Sequence, residues 1–236
     1  MDDRSTNWVI IVAGGNGERI HLGYNKVFAS VAGRPILYWT LKQFQRHPKV
    51  NKIIISIKKE DKQRAKKIVL QNNFSKVVQY VNAGESRQDS THLALKKIKK
   101  EIKEADLVGV HNAVNPFVLD TEISEVFSQA KKYQAALLAR PATDTVKITN
   151  GHNLVYKTPL REKTWYAQTP QVSTFANLWQ AFQKAATDKF SGTDDSQLLE
   201  RIDIKSKIVP CSYLNIKITF PQDLVLAEKI IKEFYD

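Results

Sequence analysis

The sequence has only one cysteine, Cys211, so a disulfide bond within the chain is excluded. Cys211 lies in a strand-like stretch, and no histidine-rich motif beside it suggests a zinc site or a nucleophilic thiol. We therefore interpret Cys211 as a buried structural thiol.

Long apolar runs are absent from the start of the sequence, which reads MDDRSTNW. We therefore expect neither a signal peptide nor a membrane span, and we expect a cytoplasmic protein. Internal repeats, low-complexity tracts and linkers rich in proline or glycine are also lacking. Together with the length of 236 residues, these absences predict one domain over residues 1–236.

Metal-binding patterns are missing as well, because the five histidines show no spacing typical of metal ligands. They are His21, His47, His92, His111 and His152. His111 ends an apolar run, where a hydrogen-bonded structural histidine is expected, so no catalytic histidine is predicted.

Negative charge is scarce relative to positive charge, since the chain has 36 Lys and Arg residues but 24 Asp and Glu residues, which gives a net charge of +12. This balance favours polyanionic ligands, which include nucleotides, phosphorylated metabolites and nucleic acids. The lysines of residues 96–103 are interleaved with glutamates at helical spacing and lack aromatic neighbours. We interpret that segment as a solvated helix face and expect no nucleic-acid partner.

Apolar runs of strand length alternate with stretches of helical spacing over the first part of the chain. The runs are Trp8–Ala13, Ile53–Ile57, Val77–Val81, Leu107–His111 and Ala135–Ala139. A helix is predicted to start at Pro35, because the apolar residues that follow it share one helical face. The alternation indicates an α/β domain with a mostly parallel sheet, whose functional loops follow the carboxyl ends of the strands.

Residues 140–169 break this pattern with short extended pieces around a hairpin-like turn, Asn150–Gly151–His152. We predict a projecting β-arm here. Its apolar residues, such as Leu154, Val155 and Tyr156, have no helix to cover them, so a second subunit is expected to bury them. The chain is therefore predicted to form a homodimer.

The first strand ends in a glycine cluster, Gly14–Gly15–Asn16–Gly17, which is followed by Arg19 and Lys26. Glycines let the backbone approach a triphosphate closely, and the two cations can neutralise charge on its oxygens during displacement. The cluster lacks the Gly-Lys-Ser/Thr ending of a P-loop, and the next strand lacks the acidic ending of a dinucleotide fold. Both of those motifs therefore fit poorly, and a plain tight turn stays the alternative interpretation of this segment taken alone.

Seven segments together resemble the 2-C-methyl-D-erythritol 4-phosphate cytidylyltransferase family over nearly the whole chain. They are residues 14–26, 83–90, 110–116, 144–147, 167–171, 193–195 and 215–219, in the family's order. The resemblance implies a Rossmann-like nucleotidyltransferase fold with a projecting arm. It also implies transfer of CMP from CTP to the phosphate of 2-C-methyl-D-erythritol 4-phosphate, with release of pyrophosphate, in the non-mevalonate route to isoprenoids.

The resemblance assigns the nucleotide to the glycine loop, the 83–90 loop and the end of the fourth strand. The residues implied are Ala13, Gly14, Gly15, Gly17, Gly84, Glu85, Ser90 and Asn112. The 83–90 loop is expected to read the cytosine, partly through the Ser90 hydroxyl. Ser86 is expected to cap the next helix, with Asp89 as its capping-box partner.

The resemblance also implies catalytic roles for Arg19, Lys26 and Lys217. Thr193 and Lys217 would hold the acceptor from their own subunit, while Thr145 and Arg161 would reach it from the neighbouring arm. The segment Thr193–Asp195 is further interpreted as the start of a helix. The acceptor phosphate is already ionised and needs no general base, so catalysis would come from positioning and charge neutralisation. Mg²⁺ or another divalent cation is the implied cofactor.

Three positions depart from the family's pattern. The family carries His-Asp-Ala-Ala/Val-Arg-Pro where this chain has Asn112 for Asp and Asn115 for Arg. Asn112 offers Mg²⁺ only a neutral oxygen, so a weak metal contact is expected, and the two changes are interpreted as one coupled replacement. Asn25 stands where the family usually has proline, and we expect it to loosen Lys26.

Other functions remain open on the sequence. The first rival is a ribitol-5-phosphate cytidylyltransferase, which shares the glycine loop and the Asn-Ile-Lys motif of residues 215–217. The second rival is a nucleotide-binding protein in which Asn112 and Asn115 mark the loss of turnover. A nucleic-acid-binding module is the third.

Overall fold

One central sheet carries the fold, and the computed structural model describes residues 5–15 and 23–234. In chain order the strands are β1 (Asn7–Val12), β2 (Ser30–Val31), β3 (Arg34–Pro35), β4 (Lys52–Ile57), β5 (Val77–Asn82), β6 (Leu107–Asn112), β7 (Ala135–Pro141), β8 (Ile148–Thr149), β9 (Val155–Lys157), β10 (Trp165–Thr174) and β11 (Lys207–Pro210). The helices are α1 (Ile36–Arg46), α2 (Lys62–Gln71), α3 (Arg87–Ile98), α4 (Asp120–Tyr133), α5 (Phe175–Thr187), α6 (Asp195–Glu200) and α7 (Pro221–Phe234).

The described part of the sheet has seven strands in the order β11-β7-β10-β6-β1-β4-β5. Neighbouring strands of this sheet run parallel, except that β10 is antiparallel to both β6 and β7. Each of the five predicted apolar runs is a strand, and helices lie between the first five sheet strands as the alternation predicted. The predicted α/β class with a mostly parallel sheet is therefore confirmed.

Strand β1 shows how the core forms on both faces of the sheet. Its side chains alternate, so Trp8 and Ile10 pack with α3, α5 and α6, while Val9 and Ile11 pack with α1, α2, α4 and α7. Full burial of each large apolar side chain contributes about 1.5–3 kcal/mol. A strand buried on both faces reads as a continuous apolar run, which is why β1 was recognisable in the sequence.

The predicted helix after Pro35 is α1, and Pro35 occupies its N-cap position. The predicted helical face is buried, and Thr40 on it donates a hydrogen bond of 2.7 Å to the carbonyl oxygen of Ala113. This bond ties α1 to the loop that follows β6. That loop begins after Asn112, the last residue of β6, and carries Asn115.

The predicted hairpin-like turn of the 140–169 segment lies between the short strands β8 and β9. Strands β8 and β9 pair over only a few residues, and within the described chain the hairpin is not joined to the central sheet. An isolated pair of strands is only marginally stable, which is consistent with the short pairing of β8 and β9. Exposed fractions of 65% for Leu154, 59% for Val155 and 77% for Tyr156 leave the apolar face of the hairpin open.

Cys211 is half-buried rather than fully buried as expected, because it follows the edge strand β11. Burial raises the pKa of its thiol to about 12, which keeps the thiol protonated and unreactive at neutral pH. No described helix is long and apolar enough to span a bilayer.

His111 is the structural histidine that the sequence predicted, fully buried at the end of β6. Its Nε2 donates to the carbonyl oxygen of Asn115 at 2.9 Å, which fixes the neutral tautomer with an unprotonated Nδ1. Nδ1 has no hydrogen-bond partner among the described residues, and a charged ring here would be fully buried. Burial accordingly lowers the pKa of His111 to about 3.

This pKa predicts a pH-dependent loss of stability that His111→Gln should remove. Below about pH 6.5 the unfolded chain takes up a proton at His111 and the folded chain does not. His111 should therefore lower the free energy of unfolding by about 1.4 kcal/mol per pH unit as the pH falls from about 6 to 4. The measurement is urea unfolding of both proteins across that range, with His152→Gln on the exposed arm as control. Parallel stability curves for wild type and His111→Gln would contradict the assignment.

Candidate active site

A cavity of about 220 Å³ opens where the carboxyl ends of β1, β5 and β6 meet. It brings together nine of the predicted site residues within the described chain: Ala13, Gly14, Gly15, Lys26, Gly84, Glu85, Ser90, Asn112 and Lys217. The predicted residues Gly17 and Arg19 lie outside the described residues.

Two glycines allow the loops of this cavity to approach each other. A Cβ on Gly14 would lie 2.3 Å from the Cβ of Ala83, and a Cβ on Gly84 would lie 2.4 Å from the Cβ of Asp89. Neither overlap can be relieved without moving backbone, since both neighbouring atoms are Cβ atoms. Gly15 differs, because a Cβ there would meet no described atom within 4 Å beyond its chain neighbours.

The loop after β5 is held by two serines. Ser86 and Asp89 form the predicted capping box at the start of α3. Ser90 is buried, and its hydroxyl donates to the carbonyl oxygen of Ser86 at 2.8 Å and accepts from the Gly84 N–H at 3.1 Å. Its one hydrogen is thus used within the loop, and Ser90 can serve a base only as an acceptor.

Lys26 is buried in a short 3-10 helix, Lys26–Phe28, and its side chain lines the cavity. Asn25 precedes it as the N-cap, and the Asn25 side chain makes three hydrogen bonds. The expectation that Asn25 would loosen this segment is wrong, because a buried amide with three partners restrains the backbone beside Lys26.

Arg87 is the site residue that sequence reasoning missed. Its guanidinium donates through Nη2 to Oδ2 of Asp195 at 2.7 Å and through Nε to Oδ1 of Asn112 at 3.1 Å. Burial alone would lower the pKa of Arg87, but the carboxylates of Asp195 and Asp194 outweigh it, so the pKa is raised. Its position as the only cation of the 83–90 segment was the available signal.

Asn112 and Asn115 are bonded to each other, as a coupled replacement requires. Asn112 Nδ2 donates to Asn115 Oδ1 at 3.2 Å, and the Asn115 amide also faces Gln168 and Asn215. Asn115 is completely buried, so an arginine there would need space that this chain has filled. The two asparagines and Arg87 form one continuous polar network.

A second cavity of about 280 Å³ adjoins the first and shares Arg87, Asn112 and Lys217 with it. Thr193 lines this cavity as predicted. A helix starts within Thr193–Asp195 as predicted, with Asp194 as the N-cap of α6, where it accepts from the Gln197 N–H at 2.9 Å. Thr193 is thus left in the loop before the helix.

Thr145 and Arg161 are exposed on the arm and do not line either cavity. Their predicted role in a neighbouring subunit stays a prediction. Within one subunit, neither side chain lies among the described residues that line the two cavities.

The metal contact expected of Asn112 is opposed by the surroundings of its side-chain oxygen. No group of three or more His, Cys, Asp or Glu side chains among them could hold a metal ion. The oxygen of Asn112 already accepts a hydrogen bond from the cationic Arg87, whose charge repels a metal ion at that oxygen.

Comparison with known proteins points to one family. The 2-C-methyl-D-erythritol 4-phosphate cytidylyltransferase (IspD) family model matches residues 8–233. The enzyme of that name from Solibacter usitatus is 39% identical over 95% of each chain, and that from Caldanaerobacter subterraneus subsp. tengcongensis is 36% identical over 95% of this chain and 98% of its own.

Solved structures show the same fold. The 4-diphosphocytidyl-2C-methyl-D-erythritol synthase of Anaerococcus prevotii superposes with a TM-score of 0.84 at 30% identity, over 97% of this chain and 96% of its own. The 2-C-methyl-D-erythritol 4-phosphate cytidylyltransferase of Francisella tularensis gives a TM-score of 0.78 at 35% identity, over 95% of this chain and 99% of its own. With a matching family model, relatives above 30% identity and the glycine-loop cavity, the chain belongs to the 2-C-methyl-D-erythritol 4-phosphate cytidylyltransferase family.

Proposed function

We propose that the first cavity binds CTP, that the adjoining cavity binds 2-C-methyl-D-erythritol 4-phosphate, and that CMP passes between them where they meet. The observation that carries this proposal is that the cavities share Arg87, Asn112 and Lys217. The chain is a cytidylyltransferase that transfers CMP to this acceptor with release of pyrophosphate, as its family does. Its relatives favour neither ribitol 5-phosphate as acceptor nor a protein without catalysis.

The reaction is an in-line displacement at the α-phosphorus of CTP. An oxygen of the acceptor's phosphate attacks, the bond from the α-phosphorus to the bridging oxygen breaks, and pyrophosphate leaves with that oxygen. The attacking phosphate is an anion at neutral pH, so no general base has to remove a proton. Catalysis depends on alignment and on cations placed where negative charge grows.

Lys26 and Arg19 are proposed to supply those cations on the nucleotide side. The Lys26 side chain lines the first cavity from a largely buried position, where a charge acts more strongly than it does in water. Gly14 and Gly15 line the same cavity, where backbone N–H groups of a glycine loop can bind the triphosphate.

The cytosine is proposed to lie against the loop after β5. Ser90 can accept but has no free hydrogen to donate, which suits a base that presents an amino group. Since Ser90 also binds the Gly84 N–H, the same hydroxyl fixes the loop and faces the ligand.

Lys217 is proposed to hold the acceptor's phosphate, together with Thr193. Two hydrogen bonds fix the backbone around Lys217. Asn215 Nδ2 donates to the carbonyl oxygen of Thr169 at 3.1 Å, and the Ile218 N–H donates to that of Val114 at 2.8 Å. The cation is thereby held at the boundary between the two cavities.

A homodimer is proposed in which each arm completes the partner's acceptor site with Thr145 and Arg161. The exposed Leu154, Val155 and Tyr156 favour this arrangement, because burial of each would contribute about 1.5–3 kcal/mol. Arginine suits a phosphate acceptor because its guanidinium can donate two parallel hydrogen bonds.

Mg²⁺ is proposed to reach the site already bound to CTP, as part of the nucleotide substrate. Mg²⁺ is usually held by substrate phosphates with few protein ligands. The weak contact expected from Asn112 is disfavoured by the hydrogen bond from Arg87 to its oxygen. The chain's own residues then orient the nucleotide and the acceptor without holding the ion.

Lys26→Ala should lower kcat by about a hundredfold or more, because it removes a charge directed at the transition state. Arg19→Ala is expected to have an effect of the same size. The measurement is steady-state release of pyrophosphate with both substrates. Lys67→Ala, on the exposed face of α2, is the control and should leave kcat within about twofold. Near-wild-type turnover in Lys26→Ala would remove Lys26 from the mechanism.

A mixture of Arg161→Ala and Lys26→Ala chains should regain activity that neither variant has alone. Hybrid dimers would contain one site with both Lys26 and the partner's arginine intact. The recovered activity is measured by pyrophosphate release after subunit exchange, which native mass spectrometry verifies. Arg161 lies in a short 3-10 helix, Arg161–Lys163. In the control mixture, Lys163→Ala, a change to the other cation of that helix, replaces Arg161→Ala and should not impair its own chain. Exchange without recovery would argue against a site shared between subunits.

Asn112→Ala should change the Mg²⁺ concentration at half-maximal turnover by less than about twofold, since the phosphates of CTP hold the ion. The variant should still lower kcat/KM, because Arg87 loses a partner. Mg²⁺ titrations of pyrophosphate release at saturating CTP give both values. A severalfold higher Mg²⁺ requirement would assign a metal contact to Asn112 instead.

A further inference from the structure

We infer that Asn25 is a positioning residue for Lys26, and that in this chain it takes over a restraint that the family's usual proline would supply. The inference rests on the proposed role of Lys26. It concerns a side chain that the sequence comparison identified only as a departure from the family's pattern.

The Asn25 side chain joins three separate parts of the site. Its Nδ2 donates to the carbonyl oxygen of Ala13 at 2.8 Å and to Oδ2 of Asp61 at 2.8 Å. Its Oδ1 accepts from the Val27 N–H at 3.3 Å. The end of β1, the start of α2 and the helix of Lys26 therefore meet at one amide.

The partners fix which way this amide points. Ala13 offers a carbonyl oxygen and Asp61 a carboxylate, so only the NH₂ group can face them. A reversed amide would set its oxygen against two acceptors and its NH₂ against the Val27 N–H. The cap on the Lys26 helix is therefore coupled to the two bonds that anchor Asn25.

The Asn25 backbone restrains Lys26 as well. The carbonyl oxygen of Asn25 accepts from the Phe28 N–H at 3.1 Å, so both the backbone and the side chain of Asn25 cap the short helix. Its φ of −62° is also the value that proline fixes. A proline here would hold the same backbone angle through its ring, whereas asparagine holds the segment through hydrogen bonds.

Asn25 lines the nucleotide cavity, so a direct contact with CTP is the rival interpretation. Both amide hydrogens and one oxygen lone pair are already used within the protein, which leaves little for a ligand. A residue that acts by placing Lys26 should affect kcat more than KM, and its effect should disappear when Lys26 is absent.

The test is a double-mutant cycle of Asn25→Ala and Lys26→Ala, followed by pyrophosphate release at saturating and limiting CTP. Asn25→Ala should lower kcat by about tenfold to a hundredfold, because a small displacement of a catalytic group is that costly, and should change the KM for CTP by less than about threefold. In the Lys26→Ala background it should change kcat by less than about twofold. Asn72→Ala is the matched control, since its amide also bonds to a backbone carbonyl but lies at the far end of α2.

A second pair of variants, at Asp61, leaves the cavity-lining side chain of Asn25 itself unchanged. Asp61→Asn keeps an oxygen that can accept from Asn25 Nδ2, so kcat should stay within about twofold of wild type. Asp61→Ala removes that acceptor and should lower kcat severalfold, again only when Lys26 is present. This pair decides the matter if Asn25→Ala does not fold.

The outcomes separate the two levels of the proposal. If Lys26→Ala turns over normally, the role of Lys26 fails and the inference fails with it. If Lys26→Ala is impaired but Asn25→Ala keeps its kcat, or lowers it equally with and without Lys26, only the positioning role of Asn25 is overturned. A higher KM for CTP with an unchanged kcat would instead indicate direct contact with CTP.

Discussion

The site depends on the parallel pairing of β1 with β4 on one side and β6 on the other. Parallel neighbours end at the same edge of the sheet, so the chain leaves β1, β5 and β6 into loops that face one cavity. Those loops approach so closely that a single Cβ on Gly14 would overlap Ala83. Sheet pairing thus sets where the loops begin, and small residues decide how near they come.

Charge balance within the cavity is the second constraint. Arg87 is largely buried and needs a counter-charge, which Asp195 provides from the start of α6. That ion pair connects the loop proposed to bind the nucleotide with the loop proposed to bind the acceptor, across 108 residues of sequence. The neutral pair Asn112 and Asn115 then completes the network without adding charge. The side chains of Asn112 and Asn115, which seemed to weaken the site, therefore find hydrogen-bond partners among their neighbours.

Asn25 follows the same principle at the other end of the cavity. A residue that departs from the family's pattern has acquired partners that perform an equivalent mechanical task. Buried polar groups stabilise a site only when each finds a partner, and here the amides of Asn25 and Asn112 do so. Departures in a motif are therefore better judged by the contacts of the new side chain than by the charge that was lost.

The sequence by itself determined the elements of the fold, because strands buried on both faces give apolar runs and amphipathic helices give a 3.6-residue period. Most of the residues that line the cavity were indicated by the resemblance to the family, whose motifs follow the strands, and not by strand periodicity. Contacts between distant side chains were decided only by the tertiary structure. Arg87 with Asp195, Asn25 with Asp61 and Asn112 with its neighbours depend on which loops meet and at what distance, and sequence spacing carries no such information. Propensity is local, whereas hydrogen bonds and ion pairs require the three-dimensional packing that brings their atoms together.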